Sequence, residues 1–380
     1  MFEFGFYQNS LTLLFLIISF IIVFILGCKK KSDIKIISGL FLWHTAFSIF
    51  YFLFTLMNAA DALNYYKMSL SNNIVFYPGS PFIYFFSSIF SSKIFDANYL
   101  NVTLIYNLFG VIGLVYLYLS LKRYLKNMPI YWFLVLFIPS MSFWSSGLGK
   151  DSISFFAVSL FLYTITTNTK VYILLPISFF AMFMVRPHIA LMMIVSFVIY
   201  FIIHSRVHLL FKLITLPIIL AGLIFSSGFV QQYVGLDEAS LDSLSSYVDD
   251  RQNSNLGGGS SIDLQSMSYP MQMFTYVFRP LPFDAQSALA LFTSIENTIL
   301  LILFLYILFK NKFRLHTFVE GKHTWLLIYA LLTCSMLAIT TANLGIATRQ
   351  KWMFMPILIY LLVYAFYQYK QAQRMGGFKK

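Results

Sequence analysis

Long apolar segments recur along the whole chain and are separated by shorter polar segments. Each is close to the roughly 20 residues that a helix needs to cross a hydrocarbon layer about 30 Å thick with its backbone groups satisfied internally. The pattern predicts an all-α polytopic membrane protein with about 11 transmembrane helices (roughly 10 to 12). We expect one membrane domain over residues 1–380. The predicted spans are residues 11–27, 36–57, 99–121, 130–146, 152–168, 171–185, 189–204, 209–227, 289–309, 324–342 and 353–369.

The distribution of charge predicts the orientation of these spans. The chain has 26 Lys and Arg against 14 Asp and Glu. Most of the basic residues fall in alternate connections, such as 29–35 and 310–322, and in the tail 370–380. Because Lys and Arg are enriched in cytoplasmic loops, this pattern places the N-terminus outside and the C-terminus in the cytoplasm. The positive charge then indicates topology and contact with anionic lipids, and we expect no nucleic-acid partner.

Composition excludes further classes of function. Of the residues, 59% are hydrophobic and 11% are charged, and no Gly-Lys-Ser/Thr phosphate-binding loop occurs in the sequence. ATP is therefore not expected as an energy source. Cys28 and Cys334 lie at or within apolar spans. We predict neither a disulfide nor a cysteine metal site.

Two connections on the outer side are long enough to carry structure of their own. Residues 58–98 form an outer loop in which the apolar segment 77–90, interrupted by prolines, predicts a helix lying in the membrane interface. Residues 228–288 form a second, longer outer loop. Its segment 237–250 has apolar residues at 3- and 4-residue spacing, so a short amphipathic helix would rest over the bundle as a lid, with Gly257–Gly259 as its hinge. The alternative is a disordered spacer.

Ionisable residues gather on the outer side under this topology. A charge at the centre of a span costs at least about 2.5 kcal/mol, so such a residue usually has a partner or a function. A group drawn from several connections predicts a site for an anionic, hydroxyl-rich molecule. Its members are Asp61, Lys150, Asp151, Arg186, His188, Arg279, Glu296, Arg349 and Lys351.

The basic members suit a phosphate or diphosphate. They are Lys150, Arg186, Arg279, Arg349 and Lys351. The planar guanidinium fork donates two parallel charge-assisted hydrogen bonds and keeps its charge at every physiological pH. A clamp of this kind would also stabilise a diphosphate as a leaving group. The alternative is that these residues are anchors at helix ends.

The acidic and histidine members are candidates for proton transfer. Asp61 is positioned to take a proton from a sugar hydroxyl, with Tyr65 and Tyr66 stacking on the sugar; alternatively, it caps the helix that follows. His188 is a second candidate base, because its ordinary pKa is near neutral; alternatively, it bonds to backbone at a helix start. We expect Glu296 to pair with one of the arginines.

Asp151 has its own alternative, which is to pair with Lys150 or to cap the next span. Both residues belong to the polar segment that separates the spans 130–146 and 152–168.

Several short motifs resemble those of a known family. The segments NAADALNYYK, FWSSGLGKDS, VRPH, FRPLPFDA and RQK resemble bacterial envelope glycosyltransferases of the GT-C superfold, including Wzy-type polymerases of O-antigen or capsule repeat units. The resemblance extends from about residue 58 to residue 356. It implies a GT-C-like bundle with an outer-face cavity. By this likeness Asp61 activates the acceptor, and Arg186, Arg279 and Arg349 contact the diphosphate.

The chain departs from many GT-C enzymes in one respect: its first outer loop has no Asp-Asp or Asp-Glu pair. A divalent metal is therefore not favoured, and no cofactor is expected. The implied partners are an undecaprenyl-diphosphate-linked oligosaccharide, a chain-length regulator and a flippase.

The resemblance implies glycosyl transfer at the outer face of the bacterial cytoplasmic membrane, polymerising the repeat units of O-antigen, capsule or exopolysaccharide. One alternative is a glycosyltransferase that uses a polyprenyl-phosphate sugar. Another is a transporter or flippase of lipid-linked oligosaccharide, against which the lack of a clear repeat of spans argues. A membrane O-acyltransferase centred on His188 is the third.

Overall fold

The computed structural model describes most of the chain, namely residues 5–58, 60–204, 250, 252, 260–285 and 287–374. Within these ranges the regular elements are helical, and the one strand-like pairing is a bridge between Ser261 and Asn343. The prediction of an all-α chain is confirmed for them. The predicted span 209–227, the amphipathic segment 237–250 (except Asp250) and the glycine hinge lie outside the described residues.

The chain divides into two compact units, Met1–Pro187 and His188–Lys380. The described α-helices of the first unit are α1 (Phe6–Gly27), α2 (Ile34–Met57), α3 (Asp61–Ser69), α4 (Ser80–Ser88), α5 (Tyr99–Leu125), α6 (Pro139–Ser145), α7 (Lys150–Thr167) and α8 (Val171–Val185). Helices α3 and α4 lie in the connection for which the sequence predicts an outer loop with an interfacial helix.

Helix α5 is the centre of the first unit and packs against α1, α2 and α7. It begins at a cap in which the Asn98 side chain accepts a hydrogen bond from the backbone N–H of Asn101. Close approach of its neighbours depends on Gly110 and Gly113. A Cβ atom at Gly113 would lie 2.9 Å from Phe155 Cδ1 of α7, which is shorter than real contacts. The small residues thus let α7 pack directly on the α5 backbone.

Helix α1 shows why this unit is suited to a membrane. Its buried residues Leu11, Phe15, Ser19 and Val23 follow at intervals of four and form one face. The remaining faces are also apolar and are exposed, including Ile17 and Ile21. A helix that is apolar all round but packed on one face only leaves a large hydrophobic surface, which lipid covers at no cost.

The second unit contains α9, which begins at the unit boundary, and five further described α-helices. They are α9 (Pro187–His204), α10 (Tyr269–Phe278), α11 (Ala288–Lys310), α12 (His323–Thr340), α13 (Leu344–Gln350) and α14 (Met355–Arg374). Helix α10 packs against α11, α12 and α13. The segments Leu344–Met353 and Met355–Arg374 meet at an angle of 64°, so the predicted span 353–369 is one arm of a bent pair.

Six helices in the described residues are long and apolar enough to cross a membrane, and the bent pair would make a seventh. They are Phe6–Gly27, Lys31–Met57, Tyr99–Leu125, Pro187–His204, Ala290–Lys310 and His323–Thr340. The chain is therefore a membrane protein by the length and composition of its helices, as the sequence predicts.

The predicted count of about 11 spans is not supported. The segment 130–146 forms a 3₁₀-helix, Ile130–Leu136, and then the short α6, because Pro139 cannot continue the preceding hydrogen-bonding pattern. Helix α8 has only 15 residues. Helix α7 has 18 residues, but it begins with Lys150 and Asp151 and contains several hydroxyl side chains, which lower its apolar character. The predicted topology has no support from the fold alone.

Candidate functional site

The polar turn between α6 and α7 is the centre of the site in the first unit. Gly149, at its end, has φ 155° and ψ −170°, a conformation that only glycine adopts without strain. A Cβ atom there would lie 3.4 Å from Cε2 of Tyr65, on α3. A Cβ atom at Gly147 would lie 2.2 Å from Cε1 of Tyr51, on α2. Aromatic rings from two helices therefore pack directly on the backbone of the turn.

An ion pair joins the start of α7 to the end of α8. Arg186 Nη2 donates a 2.6 Å hydrogen bond to Asp151 Oδ1. The two side chains are 9% and 13% exposed. Asp151 lies in the first turn of α7, where the helix dipole favours negative charge. One partner of Asp151 is thus an arginine 35 residues away in sequence, which the pattern of the sequence did not predict.

Arg186 retains a hydrogen-bonding capacity that the ion pair does not use. Its Nε atom is buried and has no hydrogen-bond partner among the described residues. A buried donor without a partner costs about 1–3 kcal/mol, so each such atom needs a structural or functional explanation. The arrangement suits a second acceptor on the guanidinium beside Asp151.

Helix α3 brings Asp61 to the same end of the unit. Asp61 is the first residue of α3, follows the N-cap residue Ala60 and is exposed. One turn later, Tyr65 packs on Gly149, next to Lys150. Tyr65 therefore connects the helix that begins with Asp61 to the turn that precedes Lys150 and Asp151.

Tyr66 has a packing role in the structure. Its side chain is 3% exposed, its hydroxyl donates to Ala97 O at 3.0 Å, and its ring lies 5.5 Å from that of Tyr99. Burial, with a smaller effect from the charge of Asp96, raises the pKa of Tyr66 to about 12. These contacts leave no open ring face for the predicted stacking on a sugar. Tyr65 is also buried, at 7% exposed.

In the second unit, Arg279 and Asp284 form a two-point ion pair at the end of α10. Arg279 Nε and Nη2 donate to Asp284 Oδ2 and Oδ1 at 2.9 and 2.6 Å. The hydrogen bonds from Arg279 hold the pKa of Asp284 below its ordinary value, and those to Asp284 raise the pKa of Arg279. One edge of the guanidinium, predicted to contact diphosphate, is thus already committed to a carboxylate.

Lys351 is a fully buried cation of the second unit. Its Nζ donates to Asn297 Oδ1 of α11. The Asn297 amide also donates to Pro280 O at 3.1 Å. Glu296 is 9% exposed and interacts electrostatically with Lys351. Asn297 of α11 therefore connects Pro280 with Lys351 at the bend before α14.

The neighbour of Lys351 adds a second buried donor. Trp352 is 3% exposed, and its Nε1 has no hydrogen-bond partner among the described residues. Burial of the Lys351 ammonium is costly in a low dielectric, because its hydrogen-bond partner Asn297 is neutral and Glu296 offsets only part of the cost. This pair of donors marks the bend as a candidate anion site.

The remaining predicted residues also lie in the second unit. His188 is partly buried at the second position of α9, and Arg349 is partly buried in α13. The predicted residues therefore form two groups. Asp61, Tyr65, Tyr66, Lys150, Asp151 and Arg186 lie in the first unit, and His188, Arg279, Glu296, Arg349 and Lys351 lie in the second.

Sequence reasoning missed His44. This histidine is fully buried in the middle of α2, with Asn107 and Ser145 at hydrogen-bonding distance from its two ring nitrogens. Its position in the sequence could have indicated it, because an ionisable residue inside an apolar span is rare unless it has a function.

No group of three or more His, Cys, Asp or Glu side chains that would hold a metal ion occurs in the part of the chain that the structure describes. No protein-family model, curated protein or solved structure matches this chain.

Proposed function

We propose that this chain is a glycosyltransferase that polymerises undecaprenyl-diphosphate-linked oligosaccharide repeat units at the outer face of a bacterial cytoplasmic membrane. The observation that carries the proposal is the buried guanidinium of Arg186. It is paired with Asp151 at the start of α7 and has a buried Nε without a partner among the described residues.

The environment of Arg186 suits a phosphate group. Its charge is permanent, and the low dielectric around a buried group strengthens its attraction for an anion. Lys150, the first residue of α7, supplies a second positive charge next to Asp151. Helix N-termini also attract phosphate through their backbone N–H groups. Asp151 offsets part of the positive charge and holds Arg186 in place before the anion binds.

The proposed reaction is a displacement at the anomeric carbon. A sugar hydroxyl of the acceptor attacks that carbon, and a new C–O bond forms while the bond to the diphosphate oxygen breaks. The diphosphate leaves with the electron pair, stabilised by Arg186 and Lys150. Asp61 takes the proton of the attacking hydroxyl. Its exposed position in the first turn of α3 supports access to a bound acceptor.

The proposal includes an orientation. Asp61, Asp151 and Arg186 lie toward the outer leaflet, where the donor and acceptor lipids are found, and the N-terminus is outside. Asp33, which lies before α2, accepts hydrogen bonds from Lys122 and Lys126 near the end of α5. This lysine-rich end of the first unit faces the anionic cytoplasmic leaflet. A flippase would deliver the substrate, and a chain-length regulator would control the product.

The test is the length distribution of the surface glycan in cells that lack the gene and carry Arg186→Ala or Asp61→Asn at matched protein levels. We expect the ladder of lengths to collapse to one repeat unit that is still exported. Arg123→Ala removes an exposed arginine at the other end of α5 and should leave the ladder unchanged. A full ladder from Arg186→Ala would overturn the proposal. Lipid-linked units accumulating inside would indicate a flippase instead.

One observation favours a second candidate, transfer of a single sugar from a polyprenyl monophosphate. Asp284 occupies one edge of Arg279, so fewer basic groups remain for a diphosphate. A monophosphate donor needs fewer such contacts. In the same experiment, this function predicts a ladder of normal length whose repeat units lack one sugar, detectable by mass spectrometry of the released glycan.

A further inference from the structure

His44 is anchored through both ring nitrogens in the core of the first unit. Its Nδ1 lies 2.6 Å from Asn107 Oδ1, and its Nε2 lies 2.9 Å from Ser145 Oγ. Asn107 donates its amide hydrogen to Thr45 Oγ1 at 3.1 Å, so its oxygen faces the imidazole. Because that oxygen only accepts, Nδ1 carries the proton, and the lone pair of Nε2 and the carbonyl oxygen of Met141, 2.6 Å from Ser145 Oγ, compete for the single Ser145 hydroxyl hydrogen.

The imidazole fits closely between α5 and the end of α6. A Cβ atom at Gly110 of α5 would lie 2.4 Å from His44 Cε1 and 2.1 Å from the backbone oxygen of Ser145. These distances are far shorter than real contacts, so the slot exists only because residue 110 is glycine. The backbone of Ser145 and the ring of His44 are therefore held against the same point of α5.

Three residues on one face of α2 contact three consecutive residues of the polar turn. His44, Ser48 and Tyr51 follow at intervals of four and three, so they share a face of the helix. His44 reaches the Ser145 hydroxyl, Ser48 Oγ donates to Ser146 O at 3.1 Å, and Tyr51 packs on Gly147. This series determines the register of the turn that leads into α7.

The polar turn between α6 and α7 also determines where α7 begins. Gly149 follows two residues after Gly147, and Lys150 and Asp151 come directly after it. A displacement of the turn along α2 would move the Asp151 carboxylate away from Arg186. The deepest of the three contacts, that of His44, has two hydrogen bonds and a closely fitted slot.

We propose that His44 is a positioning residue for the anion site at Lys150, Asp151 and Arg186. It does not touch the ligand. It holds Ser145 and the following turn so that the charged groups meet. The identity of the ligand as a phosphate rests on the proposed function, whereas the positioning of the turn does not.

The test compares His44→Gln with His44→Leu in the full chain, purified in lipid nanodiscs. Glutamine carries an amide at a reach similar to that of Nε2 and can still bond to Ser145, whereas leucine has a similar volume and no polar atom. The first measurement is hydrogen–deuterium exchange of the backbone amides of residues 145–151. We expect His44→Leu to increase their exchange by about tenfold, the effect of losing one hydrogen bond, and His44→Gln to stay near wild type.

The second measurement is binding of inorganic pyrophosphate by calorimetry. We expect His44→Leu to weaken binding by about tenfold and His44→Gln to restore it, with equal thermal midpoints for the two variants. Unchanged exchange in His44→Leu would overturn the positioning role. Equal losses in both variants, with a lowered midpoint, would also overturn it, because they indicate general destabilisation.

The two measurements separate this proposal from the proposed function. If the wild-type chain binds no pyrophosphate, the phosphate site fails, and the exchange of residues 145–151 alone decides whether His44 positions the turn. If Arg186→Ala abolishes binding while His44→Leu binds like wild type, the phosphate site stands and the positioning role fails.

Discussion

Arg186, directly after α8, donates a 2.6 Å hydrogen bond to Asp151 in the first turn of α7, and both side chains are mostly buried. A second carboxylate, Asp33, is fully buried near the opposite end of the same unit. It accepts hydrogen bonds from Tyr118 and Lys122 of α5 and from the backbone of Lys30. Both carboxylates join helices that are distant in sequence, but only Arg186 combines its ion pair with an unpartnered buried donor.

The Asp33 cluster is expected to stabilise the fold. Asp33→Asn leaves Lys122 next to a neutral group and weakens several hydrogen bonds, so we expect a loss of about 2–3 kcal/mol of unfolding free energy. The measurement is reversible unfolding in mixed micelles by SDS titration. Asp96→Asn is the matched control, since Asp96 is exposed. A loss no larger than that of the control would contradict a stabilising role.

Gly149 is expected to tolerate no side chain. Its φ of 155° lies outside the range of alanine, so Gly149→Ala should cost about 1–3 kcal/mol and displace the start of α7. We expect a lower thermal midpoint together with weaker pyrophosphate binding. Gly39→Ala is the control, because its new Cβ would meet only Phe137 Cζ at 3.8 Å within a helix. If Gly149→Ala were as stable as this control, the backbone of the turn would accommodate alanine without strain, contrary to the prediction.

The Arg279–Asp284 pair predicts a pH dependence of stability. The pKa of Asp284 is lower in the folded chain than its ordinary value near 4, so its contribution is fully present above that value. It is lost as the pH falls through the folded-state pKa. We therefore expect the unfolding free energy to decrease below about pH 4, and to decrease less steeply in Asp284→Asn. The measurement is SDS unfolding at several values between about pH 3 and pH 6.

Arg279→Gln is the second variant for the measurement of unfolding against pH. Removing the cation should flatten the same pH dependence, because the hydrogen bonds that lower the pKa of Asp284 come first from Arg279. A double variant should then add little to either single change. An unchanged slope in Arg279→Gln would assign the pH dependence to other carboxylates.

A variant at Lys351 can distinguish a role in anion binding from a role in folding. Removing one partner of a buried charge pair is destabilising, whereas replacing both partners is often neutral or stabilising, so Lys351→Met combined with Glu296→Gln should keep the thermal midpoint near that of the wild type. If the cation binds an anion, the same variant should shorten the glycan ladder in cells. Lys310→Met is the control at an exposed lysine of α11. A large drop in the midpoint with a normal ladder would give Lys351 a structural role.

The class of the protein and the position of its long helices follow from local features of the sequence. Segments such as Phe6–Gly27 and Tyr99–Leu125 are recognisable because the length of an apolar run is a local property, and a membrane requires about 20 such residues. The same reasoning predicts a span at residues 130–146, where Pro139 and a 3₁₀-helix break the run although its composition remains apolar.

Which charged groups meet depends on how the helices pack. Sequence proximity suggested Lys150 for Asp151, and the structure adds Arg186, 35 residues away, as an ion-pair partner. The sequence predicts that Tyr66 stacks on a sugar at the outer side, but packing against Tyr99 buries its ring. His44 gave no motif at all. The physical reason is that partners across a helix bundle are set by which faces pack together, and this depends on glycines such as Gly110 and on contacts between residues far apart in the chain.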